Sequence, residues 1–231
     1  MNLAIILSGG VGSRMGLSIP KQYAIVNGQF VLGYCLDTFL QNANTDALII
    51  VVADEWKRDV INLISRKKSS KPVFYAKPGE TRQYSILNAL NAAKDNGISD
   101  NDIVIIHDAA RPLVDEDLIN RCYSGCHDAE GVMPVIPVKD TVYYSDDGIK
   151  INSLLSRNKL WAGQAPEAFV FGKYYQIHKE MQKEELLKIN GSTEIAFKNG
   201  MNIKMIEGNP MNFKITTIED LSNFKSIINN K

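Results

Sequence analysis

Leu3-Ala4-Ile5-Ile6-Leu7-Ser8-Gly9-Gly10-Val11-Gly12-Ser13-Arg14-Met15-Gly16, followed closely by Pro20-Lys21-Gln22-Tyr23, decides the fold. The apolar run from Leu3 to Leu7 reads as a buried strand: it is too short for a buried helix, and it halts at a glycine cluster. Gly9, Gly10 and Gly12 have no Cβ, so the backbone can turn sharply and approach a ligand closely. Such a turn after a strand aims backbone N–H groups at an anion, usually a phosphate. Arg14 and Lys21 add two positive charges to the same loop. An ordinary strand–turn–helix connection with solvated basic residues needs none of this spacing. The standard fingerprints do not fit. Gly10-Val11-Gly12-Ser13-Arg14-Met15-Gly16 is one residue too long for G-x-G-x-x-G, and no Gly-Lys-Ser/Thr follows as in the NTPase P-loop.

Beyond this loop the pattern alternates. Phe30–Phe39 has helical apolar spacing, Leu48–Ala53 reads as a second buried strand, and 55–66 suits a helix. Val73–Ala76 is a short third strand ending at Lys77-Pro78-Gly79, and 80–90 is a helix with Arg82 and Ser85 near its start. Ile103–Ile106 is a fourth strand, stopping at His107-Asp108-Ala109-Ala110-Arg111-Pro112. Apolar strands alternating with helices predict a Rossmann-like, three-layer α/β fold, a mostly parallel central sheet with helices on both faces. Ligands bind such sheets beyond the carboxyl ends of the strands, where Gly10–Arg14, Gly79–Ser85 and Asp108–Arg111 all fall.

The texture then changes. Two prolines limit Val132–Val138 to an edge or irregular strand. Asp140–Tyr144, a turn at Ser145-Asp146-Asp147-Gly148 and the return Ile149–Leu155 predict a β-hairpin arm, with the whole excursion at about 137–158. An arm with little core of its own packs on a partner, so a homodimer is expected. Phe169–Leu187 reads as helical, Ile203–Ile206 as a late strand, and 218–228 as a last helix that Thr217 caps. The whole chain, 1–231, reads as one domain.

Composition narrows the function. Acidic and basic residues balance at 26 each, so no overall field favours nucleic acid or a membrane surface. No apolar run reaches membrane-spanning length. Cys35, Cys122 and Cys126 are odd in number and unevenly spaced, which suits free thiols in a reducing cytoplasm better than disulfides or a metal site. Only three histidines exist: His107 is expected to turn into the core or cap its strand, and His127 and His178 to lie on the surface. No Ser-His-Asp set and no glycosidase-like carboxylate pair is visible. What remains is anion chemistry: Arg14, Lys21, Arg82, Arg111, Arg157 and Lys214, with Asp108 the one carboxylate among them at a strand end. Many cations and one hard oxygen ligand are what phosphoryl or nucleotidyl transfer needs, with Mg²⁺ bridging phosphate oxygens and taking Asp108.

Five motifs carry a family resemblance over essentially the whole chain. They are Gly9–Met15 with Pro20-Lys21-Gln22-Tyr23, Gly79-Glu80-Thr81-Arg82 with Ser85, His107–Pro112, Pro137-Val138-Lys139-Asp140-Thr141, and Asn212–Thr217 with Asp220-Leu221. In this order they resemble the cytidylyltransferases that make CDP-activated polyols. These comprise the 2-C-methyl-D-erythritol 4-phosphate enzymes of isoprenoid synthesis and the ribitol 5-phosphate enzymes of teichoic acid and capsule synthesis. The resemblance implies CMP transfer from CTP to a small polyol phosphate with release of pyrophosphate, Mg²⁺ as cofactor, and a nucleotidyltransferase domain whose arm dimerises. It implies that Ser8, Gly9, Gly10 and Gly12 wrap the CTP phosphates, and that Arg14, Lys21 and Lys214 stabilise the pentavalent α-phosphorus. Gly79, Glu80 and Ser85 would read cytosine with Arg82 supporting their loop, and Asp108 would hold the metal and help fix the nucleotide. Arg111, Thr141 and Arg157 would bind the acceptor, the last two reaching across from a partner's arm.

The chain departs from the family pattern on the acceptor side. Gln164-Ala165-Pro166-Glu167 stands where the family usually has Gln-Thr-Pro-Gln, and 190–194 matches the family's Thr-Asp segment poorly. Gly9-Gly10 is more like the ribitol phosphate branch; His107–Pro112 is more like the isoprenoid branch. Methylerythritol phosphate is therefore the narrow first choice of acceptor and ribitol 5-phosphate the alternative. Two other classes stand against these: a nicotinamide dehydrogenase, for which the glycine spacing is wrong, and a CTP-binding protein without turnover.

Overall fold

In the computed structural model, which describes residues 1–10 and 19–230, twelve strands and eight helices follow one another along the described chain. The strands are β1 Asn2–Leu7, β2 Ile25–Val26, β3 Gln29–Phe30, β4 Ala47–Val51, β5 Val73–Ala76, β6 Ile103–Asp108, β7 Gly131–Pro137, β8 Val142–Tyr144, β9 Ser153–Leu155, β10 Trp161–Gly163, β11 Glu167–Val170 and β12 Ile203–Glu207. The helices are α1 Val31–Gln41, α2 Asp54–Ser65, α3 Arg82–Asp95, α4 Glu116–Gly125, α5 Phe171–Glu180, α6 Lys183–Leu186, α7 Ser192–Lys198 and α8 Ile218–Asn229.

The central sheet runs β5-β4-β1-β6 in parallel, as the apolar runs predict. Antiparallel β11 then joins β6 to β7, and β7 pairs on its other side with parallel β12 and near its end with β10. Because successive side chains of a strand point to opposite faces, β1 feeds two cores at once. Ala4 and Ile6 pack with Leu32, Leu36 and Phe39 of α1 and with Ile119 and Cys122 of α4. Leu3 and Ile5 pack with Ile86 and Leu90 of α3, Tyr174 of α5 and Ile195 of α7. The result is the expected three-layer, Rossmann-like arrangement. A third, smaller cluster docks α8 through Leu221 and Phe224 on Val31, Val26 and Ile215.

The structure corrects three expectations. β7 is paired on both sides, although it carries Pro134 and Pro137. The Pro134 carbonyl accepts from Gln164 N at 2.8 Å, so the side of Pro134 that lacks an N–H faces Gln164–Pro166, the break between β11 and β10, where the ladder needs no donor. Phe169–Leu187 is not one helix: Phe169 and Val170 end β11, and α5 and α6 follow separately. α4, which carries Cys122, starts where the Asp115 side chain caps it by accepting from Leu118 N at 2.7 Å. His178 is buried on α5, with Nδ1 against the Tyr174 carbonyl at 2.9 Å and Nε2 against Gln83 Oε1 at 3.2 Å. His107 is also buried, as expected, while His127 is exposed.

Burial pushes the pKa of both His107 and His178 down to about 4, so both are neutral in the fold. A base whose folded-state pKa lies below its unfolded value lowers stability as the pH falls through the unfolded value. For His178 that loss should reach ~2 kcal/mol between pH 7 and 4.5. His178→Gln, neutral throughout, should therefore lose less thermal stability across that interval than the unsubstituted protein; equal slopes in thermal unfolding would refute the assignment.

Candidate active site

The loop after β1 is built from its base upward. Ser8 is buried, and its hydroxyl donates to the Val51 carbonyl at 2.6 Å, which ties the end of β1 to β4. Its own carbonyl accepts from Gln22 Nε2 at 2.6 Å and from Tyr23 Oη at 3.0 Å. Gln22 Nε2 also reaches the Gly10 carbonyl at 2.7 Å. Tyr23 is stacked on Trp56, ring centroids 4.3 Å apart, so the short helical turn Lys21–Tyr23 clamps the loop from outside. Lys21 opens that turn and is half-buried beside the loop. Gly12 and Arg14 lie outside the described residues.

Gly9 and Gly10 differ in what they need. A Cβ on Gly9 would stand 2.4 Å from Pro78 Cβ, so this glycine lets the first loop pack on the loop after β5. On Gly10 a Cβ would meet no described atom within 4 Å. The second loop is closed by Ser85, whose hydroxyl accepts from Gly79 N and donates to the Thr81 carbonyl, both at 3.0 Å. Thr81 caps α3 by accepting from Tyr84 N. Glu80 at the tip is exposed, with Lys183 Nζ 3.5 Å away.

Arg82, first residue of α3, turns back toward the sheet and meets Asp108, last residue of β6. The charges converge there. Arg82 Nη2 lies 3.2 Å from Asp108 Oδ1, Lys214 Nζ 2.8 Å from Oδ2, and Arg111 Nε 3.9 Å from Oδ2. The Asp108 side chain is only 13% exposed. Burial alone would raise its pKa, but Arg82, Lys214 and Arg111 together outweigh that and hold the carboxyl well below the usual range. Asp108 is therefore ionised at any physiological pH.

The late segment Asn212–Ile215 is locked onto this cluster. Ile215 N donates to the Ala110 carbonyl at 2.8 Å, and Arg111 Nη1 to the Asn212 carbonyl at 2.7 Å. Asn212, fully buried, donates from Nδ2 to the Ala165 carbonyl at 2.7 Å. Three buried polar atoms here have no hydrogen-bond partner among the described residues: His107 Nδ1, Arg111 Nε and Asn212 Oδ1. His107 itself acts as a strut, its Nε2 3.0 Å from the Arg111 carbonyl.

The structure thus brings Arg82, Arg111 and Lys214 together on Asp108, Lys214 from 106 residues away in sequence. It does not bring Thr141 or Arg157 to them. Both are exposed on the excursion that carries the β8–β9 hairpin, and Arg157 Nη1 donates to the Lys139 carbonyl at 2.9 Å. Two residues outside the expected set belong to the site. Asn212 positions the Lys214 segment, and Glu167 stands 4.0 Å from Arg82. The sequence marks Glu167 only as a carboxylate where the family has an amide.

A mostly parallel sheet whose strand ends carry a glycine loop, a capped helix start and a carboxylate ringed by three cations defines a nucleotidyltransferase of the Rossmann-like class. The family model described as IspD, 2-C-methyl-D-erythritol 4-phosphate cytidylyltransferase, matches residues 2–230, and the chain belongs to that family. It is 33% identical over 229 residues to a 2-C-methyl-D-erythritol 4-phosphate cytidylyltransferase of Geobacter metallireducens, covering 99% of this chain and 97% of that one. It is 30% identical over 237 residues to a ribitol-5-phosphate cytidylyltransferase of Lacticaseibacillus paracasei, covering 100% and 99%. The crystal structure of 4-diphosphocytidyl-2C-methyl-D-erythritol synthase from Anaerococcus prevotii shares the fold, with a TM-score of 0.83 at 24% identity over 99% of this chain and 96% of that one.

Replacing Asp108 with Asn leaves Arg82, Arg111 and Lys214 without their common carboxylate, and only Glu167, 4.0 Å from Arg82, remains as an anion nearby. Loss of one partner from a buried ionic cluster costs ~3 kcal/mol. Asp108→Asn should accordingly lower the denaturant midpoint at neutral pH by a corresponding amount; an unchanged midpoint would show that the cluster is not stabilising.

Proposed function

We propose that this cytidylyltransferase transfers CMP from CTP to 2-C-methyl-D-erythritol 4-phosphate, with ribitol 5-phosphate as the alternative acceptor. The observation that carries the reading is the cation ring on Asp108. In-line attack by the acceptor phosphate on the α-phosphorus spreads negative charge over nonbridging oxygens, and fixed cations at a strand end stabilise that charge. Lys214, Lys21 and Arg14 are the groups assigned to that transition state. Gly9, Gly10 and Gly12, with Ser8 at the base, cradle the phosphates. Gly79, Glu80 and Ser85 read the base, in a loop whose tight closure by Ser85 suits a pyrimidine. Arg111 takes the acceptor phosphate, which supports a role for its unpartnered Nε.

Asp108 fits Mg²⁺ as a single hard-oxygen ligand. It is ionised, and magnesium takes one or two carboxylates together with substrate phosphates instead of an all-protein cage. Consistent with that mode, no cluster of three or more metal-ligating side chains occurs among the described residues. Bound there, Mg²⁺ would neutralise phosphate charge and favour departure of pyrophosphate.

The chain is read as one catalytic domain acting as a homodimer in the cytoplasm. The hairpin arm supports the dimer: Ile149, Ile151 and Leu154 are 85%, 67% and 64% exposed and have no core of their own. Thr141 and Arg157 on the same excursion would then reach a partner's acceptor site. Three free, buried cysteines support a reducing compartment, and no helix among the described residues is long and apolar enough to cross a membrane.

Pyrophosphate release with CTP and Mg²⁺, tested across methylerythritol phosphate, ribitol 5-phosphate and other polyol phosphates, should show one strongly preferred acceptor. Lys214→Ala and Lys21→Ala should each cut kcat by two to three orders of magnitude, roughly the loss seen on removing one transition-state donor. If none of the acceptors supported turnover, only CTP binding would be left. Mixing inactive Arg157→Ala with inactive Lys214→Ala subunits should restore about a quarter of the activity if the arm completes the neighbouring site. No recovery in subunits that have exchanged would exclude the shared site.

A further inference from the structure

Glu167 pairs with Ile106 across the β11–β6 ladder, and Asp108 lies two residues beyond Ile106 on the same strand. Both carboxylates therefore leave the sheet on one face, the face covered by α3, α5 and α7. Arg82 lies between them. Its Nη2 is 3.2 Å from Asp108 Oδ1 and 4.0 Å from Glu167 Oε1, while Nη1 donates to Ser192 Oγ at 2.6 Å. The other Glu167 oxygen, Oε2, accepts from Thr193 Oγ1 at 2.9 Å. The α7 start thus fixes both the carboxylate and the guanidinium, and one arginine is shared by two anions.

This arrangement is costly. Burial pushes the Glu167 pKa up, against the opposing pull of Arg82 and Thr193, so its charge is not there for stability. A glutamine would keep the shape and the Thr193 hydrogen bond without a desolvated charge. A carboxylate beside a phosphate site also repels the substrate. A charge with two disadvantages needs a task, and the geometry offers one. With Glu167 neutral, Asp108 becomes the only anion left to Arg82. The guanidinium then closes on Asp108, competes with Lys214 for it, and draws the first turn of α3 with the Gly79–Thr81 loop.

We infer that Glu167 is a positioning residue that acts through Arg82: its charge divides the guanidinium between two carboxylates and so sets the spacing between the Gly79–Thr81 loop and the Asp108–Lys214 pair. The inference rests on the cytidylyl-transfer reading for its consequence, which is nucleotide affinity.

The test uses the full chain with Glu167→Gln, Arg82→Lys and the double variant. It measures kcat and KM for CTP and for the preferred polyol phosphate, CTP affinity by calorimetry, and the thermal midpoint. Glu167→Gln should lower kcat/KM for CTP about tenfold and weaken calorimetric CTP binding, with little change in acceptor KM and an unchanged or higher midpoint. The double variant should be no worse than Arg82→Lys alone, because the two residues act as one unit. Unchanged or tighter CTP binding in Glu167→Gln would overturn the inference. So would an activity loss accompanied by a lower midpoint, which is the mark of a merely structural role, or effects of the two substitutions that multiply. If the unsubstituted protein released no pyrophosphate with any acceptor, the transfer reading would fail, and the calorimetric affinities would still decide the role of Glu167.

Discussion

One buried carboxylate, Asp108, organises the candidate site of this molecule. Arg82, Arg111 and Lys214 come from α3, from the turn after β6 and from the segment before α8, and each approaches Asp108 within 4 Å. Left to themselves, three cations at this spacing repel. A desolvated carboxylate gives them a common partner in a medium where each attraction is stronger than in water. The cluster therefore aligns three separate pieces of chain around the end of one strand. A phosphate-bearing ligand meets charges that are already gathered and oriented, so little reorganisation is needed when charge develops in the transition state.

The donor side is rigid for reasons that can be traced bond by bond. Ser8 ties β1 to β4, Gln22 and Tyr23 hold the glycine loop from outside, and the bare face of Gly9 lets that loop lie on Pro78. Ser85 and Thr81 close the second loop onto the start of α3. Sheet ends, a capped helix start and short backbone clamps fix this half before any ligand arrives.

How legible this was in the sequence depended on the range of the interactions. The parallel strands β1, β4 and β6 are continuous apolar runs because both faces are covered, and that signal is local. β11 was hidden because Phe169 and Val170 run straight into the apolar residues of α5, and no turn residue separates strand from helix. The burial of His178 is hidden for a related reason: one of its partners is Gln83, 95 residues away, and no local pattern reveals a polar side chain satisfied at that distance. The catalytic cluster was legible as residue types at strand ends, but its wiring was not. That Ser192 and Glu167 both address Arg82 follows only from β11 lying antiparallel beside β6 and from α7 packing over that face.

The same division explains why the acceptor is harder to read than the donor. In the proposed reaction CTP would present a triphosphate and a base to backbone and to cations fixed to the sheet. The acceptor contributes one phosphate and a short polyol whose hydroxyls differ little between methylerythritol and ribitol. Discrimination must come from a few polar atoms at segments that the sheet does not hold directly: the Gln164–Glu167 turn, the start of α7 and the hairpin excursion with Thr141 and Arg157. Relatives named for either acceptor align over nearly the whole chain, so overall similarity cannot separate them. Ala165 places a methyl in this region, and Glu167 a carboxylate 4.0 Å from Arg82. Both changes alter how the site is held together, and the polyol must be recognised within the space they leave.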